Sequence, residues 1–360
     1  MAVPMFDPKE ITEAKKVTFG NRTQTIFNYP CSQREGILAT YNREPYWTVS
    51  SFTSMFSPKV NPDNIARGFV YEAGSRDMSV KDFGGPDMFG IEWEYIESVG
   101  GSMVRPGKPY IEDANEIKDK IVFPDPTTWD WAGSAEANKN YLNPNNCNCM
   151  WFLNGWYERL ISFMDFEGAI MALIDEDQKD AVHEFFGRLS ELYIKILDLA
   201  IKAYPQIDMF CIHDDWGSQK ETFFAPAVAE EMIVPYMKMV TDFLHSKGKF
   251  CDLHSCGNNM KQIPNYIKAG WDSWCPQAMN DTAKEYELYG DKIIIGVMPE
   301  KFDPATASEE VQRASARNFV DRFMQPGKPA TINFNAMSYL TPAFNEELYE
   351  YSRKKCCGMI

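Results

Sequence analysis

The chain has 360 residues, of which 44% are hydrophobic and 24% are charged, so it can bury a large core without disulfide bonds. Its formal net charge of −15 argues against nucleic acid and anionic membranes as partners, because both require clustered Lys and Arg. The nine cysteines are odd in number and are not spaced as in a small disulfide-bonded domain, which predicts free thiols. The sequence shows no signal segment and no apolar run of about 18 to 20 residues, so we predict a cytoplasmic protein.

The first half of the chain is irregular. Residues 7–17 predict a short helix, and residues 46–52 predict a strand. Residues 81–106 are rich in Gly and aromatic residues, which predicts a long loop or a β-hairpin excursion. The abundant Asp, Pro and Asn of residues 124–148 predict an ordered surface loop.

From about residue 150, short apolar runs alternate with helical periodicity. Strands are predicted at residues 150–153, 207–213, 250–254, 271–275, 293–297 and 331–335, and helices at 156–174, 177–204, 226–246, 261–268, 282–288, 308–323 and 345–354. This alternation is typical of parallel βαβ units, and one or two earlier strands bring the number close to eight. We therefore predict an α/β fold, a (β/α)₈ TIM barrel forming a single domain over residues 1–360, with residues 1–80 as an N-terminal extension. No strand is followed by G-x-G-x-x-G and no P-loop is present, which argues against an open nucleotide-binding sheet.

Polar residues follow five of the predicted strands. They are Cys211–Gly217, Asp252–Asn258, Cys275-Pro276-Gln277, Met298-Pro299-Glu300 and Asn333-Phe334-Asn335. In a barrel, the carboxyl ends of the strands and the loops that follow them form the active site. Five such clusters in succession predict a catalytic site.

The sharpest motif is His254-Ser255-Cys256-Gly257. Alternation along a strand places His254 and Cys256 on the same side, where both donor atoms can reach one ion. Imidazole nitrogen and thiolate sulfur are ligands that zinc favours, so the motif predicts a zinc site. A structural histidine beside a buried free cysteine is the alternative interpretation.

A second motif, Asp214-Asp215-Trp216-Gly217, places two adjacent carboxyl groups after an apolar strand. Asp214 or Asp215 could act as a general acid or base, a metal ligand or a hydrogen-bond partner of the substrate. The alternative is a helix N-cap or a salt bridge in a loop. His213 shares a strand face with Cys211, and it is either a catalytic residue or a structural histidine.

The residues from about 151 to 297 resemble the uroporphyrinogen decarboxylase superfamily, and more closely its corrinoid-dependent methyltransferases. The matching segments are residues 89–94, 154–159, 214–219, 254–258 and 276–277. The resemblance implies a TIM barrel and anaerobic one-carbon metabolism, in which a methyl group is exchanged with a cobalamin carried by a separate corrinoid protein. True decarboxylases use Arg and Asp near the N-terminus against substrate carboxylates, and that basic signature is not evident here.

The resemblance also implies a ligand set. In the methylcobalamin:thiol branch, zinc is held by the His and Cys of the motif and by a further Cys, which would fall near Asn333. No Cys lies between Cys275 and Cys356, so this third ligand is absent from the sequence. The remaining candidates for the other ligands are Asp214, Asp215, Glu94, Cys211 and Cys275.

Within the resemblance, the aromatic-rich loops and the altered zinc ligand set fit the O-demethylase branch best, which passes a methyl group from a methoxylated aromatic compound to cob(I)alamin. In that reaction zinc, or a protonated Asp214 or Asp215, would assist the departing oxygen. The expected substrate-binding residues are Glu94, Trp93, Trp216, Gln219, Gln277, Asn333 and Asn335.

Two other functions stay open from the sequence. One is a zinc-dependent transfer from methylcobalamin to a thiol, as in coenzyme M methylation, and the other is a non-catalytic barrel that binds a corrinoid or tetrapyrrole. The oligomeric state is open, a homodimer being one option. The pair Cys356-Cys357 is interpreted as a metal-binding pair or as part of a frayed terminus.

Overall fold

A computed structural model describes residues 4–19, 22–50, 54–98 and 100–360. Their contacts divide the chain into two compact units. Unit 1 comprises Met1–Thr53, Asn145–Cys147 and Ser273–Ile360, and unit 2 comprises Ser54–Pro144 and Asn148–Asp272. The prediction of a single domain stays a prediction. Among the described residues, no helix combines the length and apolar character that crossing a membrane requires.

Unit 2 is built around four parallel strands that pair in chain order: Ser54–Phe56, Asn148–Phe152, Ile207–His213 and Phe250–His254. A three-stranded antiparallel sheet is formed by Gly85–Pro86, Glu92–Ile96 and Gly101–Met103. The helices are Pro62–Ala66, Ile117–Lys120, Trp131–Asn138, Trp156–Ala172, Lys179–Ala203, Pro226–Met232, Val234–Ser246 and Ile263–Lys268, and short 3-10 turns occupy Ser75–Asp77, Val80–Asp82, Ala114–Glu116, Pro126–Thr128 and Met260–Gln262. Helices follow the parallel strands, as the sequence predicts.

Unit 1 contains three parallel strands, Ser273–Trp274, Ile294–Val297 and Thr331–Ile332, of which the middle one pairs with both others. Two antiparallel hairpins pair Lys15–Phe19 with Arg22–Ile26 and Met324–Gln325 with Lys328–Pro329. The helices are Lys9–Thr12, Gln33–Tyr41, Thr282–Tyr289, Glu309–Phe323 and Pro342–Cys356, with a 3-10 helix at Phe334–Tyr339.

The helix predicted at residues 7–17 is wrong in its second half. Only Lys9–Thr12 is helical, and Lys15–Phe19 pairs as a strand because its β-branched residues favour a strand over a helix. Of the strand predicted at residues 46–52, the described part forms a single parallel bridge between Ser50 and Ile332, and residues 51–52 lie outside the described residues.

The hairpin predicted within residues 81–106 is confirmed by the three-stranded sheet of unit 2. The surface loop predicted at residues 124–148 is wrong in part, because Trp131–Asn138 is a helix. The side chain of Asp130 accepts the backbone N–H of Gly133 at 2.9 Å and so caps the first turn. An Asp-rich segment therefore begins a helix here instead of forming a loop.

A buried charged network joins three segments of unit 2. The guanidinium of Arg159 contacts the carboxylates of Asp63 and Asp87, and all three side chains are almost completely excluded from solvent. Asp87 also accepts the backbone N–H groups of Phe89 and Ile91 at 2.8 and 3.0 Å. The network therefore ties the Trp156–Ala172 helix to the Pro62–Ala66 helix and to the antiparallel sheet.

Replacing Arg159 by Met is expected to lower the free energy of unfolding by about 3 to 5 kcal/mol, because two buried carboxylates lose their counter-charge. The exposed pair Arg105–Glu94 provides a control, and Arg105→Met is expected to cost less than about 1 kcal/mol. Urea denaturation of both variants measures the difference. Equal costs for the two substitutions would contradict the importance of the buried network.

Unit 1 contains a buried carboxyl group for which the described residues provide no counter-charge. Glu285 lies in the Thr282–Tyr289 helix, and neither of its carboxyl oxygens has a hydrogen-bond partner among the described residues. Burial, together with Asp281, raises the pKa of Glu285 from 4.5 to about 8. The folded state therefore holds this proton more tightly than the unfolded chain does.

A raised pKa in an acid favours folding at low pH. The stabilisation contributed by Glu285 is expected to be complete below about pH 4.5 and lost as the pH rises to about 8. Glu285→Gln should remove this dependence, which amounts to about 3 kcal/mol at pH 7. Urea denaturation of both proteins between pH 5 and 8 measures it. Parallel stability curves would show that the group does not titrate as described.

Candidate active site

Two histidines meet at the carboxyl ends of neighbouring strands in unit 2. The parallel register pairs His213 with His254, the last residues of their strands, and therefore directs both side chains to one face of the sheet. Their rings stack with centroids 4.4 Å apart and planes 14° from parallel. The neighbouring residues Ile212 and Leu253 point to the opposite face and are buried. The site thus follows from strand register and alternation.

A carboxylate and a thiol complete this cluster. One ligand atom each from His213, Asp215 and His254 lie within 4.8 Å of one another, which is a separation that one metal ion can bridge. The Cys256 Sγ lies 3.2 Å from the His254 Nε2, and the Cys256 backbone N–H donates to Asp215 Oδ1 at 2.6 Å. Imidazole, carboxylate and thiolate are the ligand types that zinc accepts. The predicted pair His254 and Cys256 is therefore side by side, with Asp215 and His213 next to it.

The electrostatic environment separates the roles of these groups. Burial and the neighbouring His213 lower the pKa of His254 to about 4, so its ring is neutral at pH 7. Burial also lowers the pKa of His213, but Glu158 and Asp215 outweigh it and the net shift is upward. Burial raises the pKa of Asp215, yet the two histidines and the Cys256 backbone N–H hold it below its usual value. Burial and the Asp215 carboxylate raise the pKa of the Cys256 thiol.

Glu158 forms a hydrogen bond with the Nδ1 atom of His213. Its Oε2 lies 2.8 Å from the His213 Nδ1, and its Oε1 lies 3.6 Å from a guanidinium nitrogen of Arg67. The Arg67 guanidinium in turn lies 5.0 Å from the centre of the Trp93 ring. Because Nδ1 is hydrogen-bonded to a carboxylate, the other ring nitrogen of His213, Nε2, faces Asp215 and lies 3.9 Å from its Oδ1. Such carboxylate–histidine pairs are common behind metal ligands.

Asp214, the other predicted carboxylate, is fully buried and faces the Trp156–Ala172 helix. It accepts the backbone N–H groups of Tyr157 and Glu158 at 3.3 and 2.9 Å and the indole N–H of Trp216 at 2.8 Å. The backbone N–H groups of Tyr157 and Glu158 lie in the first turn and have no partner within the helix, so Asp214 serves as its cap. Burial and nearby Glu158 raise the pKa of Asp214 to about 7.

Two glycines let the loops of the motifs pack together. Gly257 has a φ of +101°, and a Cβ on it would lie 2.3 Å from the backbone of Gly217. The neighbouring Asn258 N–H donates to the Ser218 carbonyl at 2.7 Å. Gly257 is therefore required by close backbone contact and by a backbone angle that other residues rarely adopt, whereas Gly217 is required by close contact, since a Cβ on it would lie 2.3 Å from the Asn259 Oδ1.

Comparison with known proteins shows what part of this chain is similar to. Residues 158–333 match the model for "Uroporphyrinogen decarboxylase (URO-D)". This segment of the chain is therefore similar to that family. The structure of a methyltransferase from Methanosarcina mazei aligns with a TM-score of 0.57 at 14% identity, covering 90% of this chain and 99% of that one. No curated protein matches the chain.

These findings confirm the predicted superfamily and the predicted TIM-barrel fold class. The matched segment includes Glu158 and all four residues of the cluster, whereas Arg67 and Trp93 lie outside it. The O-demethylase branch stays a prediction. The site residues named from the sequence also stay predictions, and the structure shows where each of them lies.

Four of the predicted substrate-binding residues lie in unit 2. Trp93 and Trp216 are buried, and their indole N–H groups donate to Asp87 and Asp214 at 3.0 and 2.8 Å. Glu94 is half exposed and pairs with Arg105, and Gln219 lies exposed on the loop after the second motif. Cys211, one of the candidate ligands, is buried two residues before His213.

The other three lie in unit 1 of the URO-D fold, near Cys275. The buried Asn333 donates to the carbonyls of Pro276 and Gly296, at 2.8 Å in both cases, and its Oδ1 accepts the Asn335 N–H at 2.8 Å. Gln277 follows Pro276 and is partly buried. The structure thus brings Asn333 and Asn335 together at the strand ends of this unit.

The sequence reasoning missed Glu158 and Arg67 as site residues. Glu158 appears in a segment quoted for the family resemblance, and its place in the first turn of a helix that follows a strand could have marked it. Arg67 carries no local signal, because it reaches Glu158 only through the fold.

A second group with ligand spacing comprises His245, Cys251 and Asp272. Its contacts are structural, since Asp272 accepts the Cys251 N–H at 2.7 Å and lies 2.9 Å from the His245 ring nitrogen. Cys251 is the second residue of the Phe250–His254 strand and lies near the end opposite to His254. Active sites of such barrels lie at the carboxyl ends of the strands, which favours the cluster around His254.

Proposed function

We propose that this protein is a corrinoid-dependent methyltransferase that demethylates a methoxylated aromatic compound. The acceptor would be the cob(I)alamin of a separate corrinoid protein. The observation that carries the proposal is the convergence of His213, Asp215, His254 and Cys256 at the strand ends of a URO-D domain. The similar fold of an M. mazei methyltransferase supports the reaction class.

The donor set fits a zinc ion. His254 is neutral and offers Nε2, Cys256 offers Sγ beside it, and Asp215 offers a carboxylate oxygen held by a backbone N–H. His213 would be the fourth ligand through Nε2, because its Nδ1 is already hydrogen-bonded to Glu158. When bound, zinc would supply Lewis acidity toward the oxygen that leaves the methyl group.

The protein's own residues would prepare this chemistry. Glu158 fixes the orientation of the His213 ring, and Asp214 fixes the helix that carries Glu158. In the overall reaction the methyl–oxygen bond breaks and its electron pair remains on the oxygen, while the methyl carbon bonds to cobalt. Since Asp214 already accepts three N–H groups and is fully buried, its carboxyl group is better suited to holding the helix than to protonating that oxygen.

The metal part of the proposal predicts a measurable zinc content. The double substitution His254→Ala with Cys256→Ala is expected to reduce the bound zinc to background, because it removes two of four ligands. Zinc is measured by elemental analysis after exhaustive dialysis. His245→Ala is the control, since it removes a histidine of the second group and should leave the zinc content unchanged. Undiminished zinc in the double variant would rule out this metal site.

The transfer reaction is tested with reduced corrinoid protein and a panel of methoxybenzenes. We expect demethylation of the methoxybenzene and methylation of the cobalt, which visible spectroscopy monitors. The rate of transfer should fall at least about 100-fold in the zinc-free variant. Activity toward thiols from methylcobalamin, without activity on aryl ethers, would select the thiol branch instead. Tight corrinoid binding without any turnover would select a non-catalytic barrel.

A further inference from the structure

A row of aromatic rings leads from the histidine cluster to the surface of unit 2. The distance between ring centroids is 5.4 Å from His254 to Trp151, 5.0 Å from Trp151 to Phe69 and 5.0 Å from Phe69 to Tyr71. Tyr71 is 41% exposed, whereas Trp151 and Phe69 are partly buried. The row therefore connects the cluster with solvent.

Strand register places Trp151 on the same face as the two histidines. Trp151 pairs with Cys211, which lies two residues before His213, and His213 pairs with His254. Residues paired in a parallel sheet, and residues two apart in one strand, point to the same side. The adjacent Met150 and Phe152 point to the other side and are fully buried.

The outer part of the row is held by the first strand of unit 2. Ser57 follows the Ser54–Phe56 strand and forms an antiparallel bridge with Tyr71. The Ser57 hydroxyl also donates to the Phe69 carbonyl at 2.6 Å. The rings are therefore positioned by backbone contacts and not by their own packing alone.

An aromatic core cluster in unit 1 shows what packing alone looks like. Phe27, Trp47 and Tyr349 are all at most about one-twentieth exposed, and Phe27 and Tyr349 stack at 4.4 Å. The rings at Trp151, Phe69 and Tyr71 keep exposed surface instead. Partly exposed aromatic rings beside a polar cluster are typical of a binding surface for a flat apolar group.

We propose that Trp151, flanked by His254 and Phe69, is the stacking surface for an aromatic ring of the substrate. This inference rests on the proposed function and deepens it, since it proposes Trp151 in place of Trp93 and Trp216, the tryptophans expected from the sequence to bind the substrate. Both of those indoles are buried and donate to carboxylates. A ring stacked on Trp151 would lie next to His254, so that a methoxy substituent could reach the cluster.

The arrangement favours a planar ring over a quaternary ammonium group. Cationic methylammonium groups are recognised in cages in which several ring faces surround the charge. Here the described contacts run from one ring of the row to the next, at interplanar angles of 47°, 42° and 66°. The row thus offers one ring surface after another along a line.

The test is a binding measurement that needs neither corrinoid nor turnover. Calorimetric titration of the purified protein uses 2-methoxyphenol, methoxycyclohexane and choline as probes. We expect 2-methoxyphenol to bind, and the Kd to rise about tenfold in Trp151→Leu and to return close to the original value in Trp151→Phe. Methoxycyclohexane, which has no aromatic face, should bind about tenfold more weakly than 2-methoxyphenol.

Trp129→Leu is the matched control. Trp129 is also a partly buried tryptophan of unit 2, and it stacks on Trp131 at 5.8 Å, not on the row. Its loss should leave the Kd unchanged. If Trp151→Leu fails to fold, as judged by circular dichroism, Phe69→Leu replaces it, with an expected rise in Kd of about threefold.

An unchanged Kd in the folded Trp151→Leu or Phe69→Leu variant would overturn the inference, and so would tighter binding of choline or methoxycyclohexane than of 2-methoxyphenol. The proposed function fails separately. Binding of 2-methoxyphenol through Trp151 without methyl transfer would remove the transferase proposal and support the ring surface. Methyl transfer from methoxybenzenes, together with an unchanged Kd for 2-methoxyphenol in Trp151→Leu, would support the transferase proposal and remove the ring surface.

Discussion

The candidate site depends on the register of two parallel strands. Because the Ile207–His213 and Phe250–His254 strands end level with each other, two histidines stack at their ends, and Asp215 and Cys256 follow on the adjoining loops. A slip of one residue would turn one histidine toward the helices and replace it by an apolar side chain such as Ile212 or Leu253. All the chemistry proposed for this protein requires this alignment.

Buried charges hold the surroundings of the site in place. Arg159 joins one side of the Trp156–Ala172 helix to Asp63 and Asp87, while Asp214 caps the start of the same helix. Glu158 lies between these two fixed points and reaches His213. Burying ions is costly, and here each charge is offset by a counter-charge or by N–H donors. The helix that carries Glu158 is thus fixed at its beginning and along its side.

The aromatic content of the chain divides into rings that only pack and rings that keep exposed surface. In unit 1, Phe27, Trp47 and Tyr349 form a closed aromatic core. In unit 2, Trp151 and Phe69 remain partly exposed beside the histidine cluster. Composition reports both kinds of ring alike, so it could not distinguish the partly exposed Trp151 from the buried Trp93 and Trp216. Only neighbours and exposure make that distinction.

Sequence by itself determined the strands that carry the cluster and their order along the chain, because these follow from local periodicity. It also indicated that His254 and Cys256 meet, although Cys256 lies on the loop after the strand and not within it. It also placed Asp214 and Asp215 correctly after a strand but left their roles open. The tertiary structure decided that Asp215 joins the cluster while Asp214 caps a helix, and that Arg67 supports Glu158. These contacts link residues far apart in the chain, and strand periodicity carries no information about which distant group a side chain will meet.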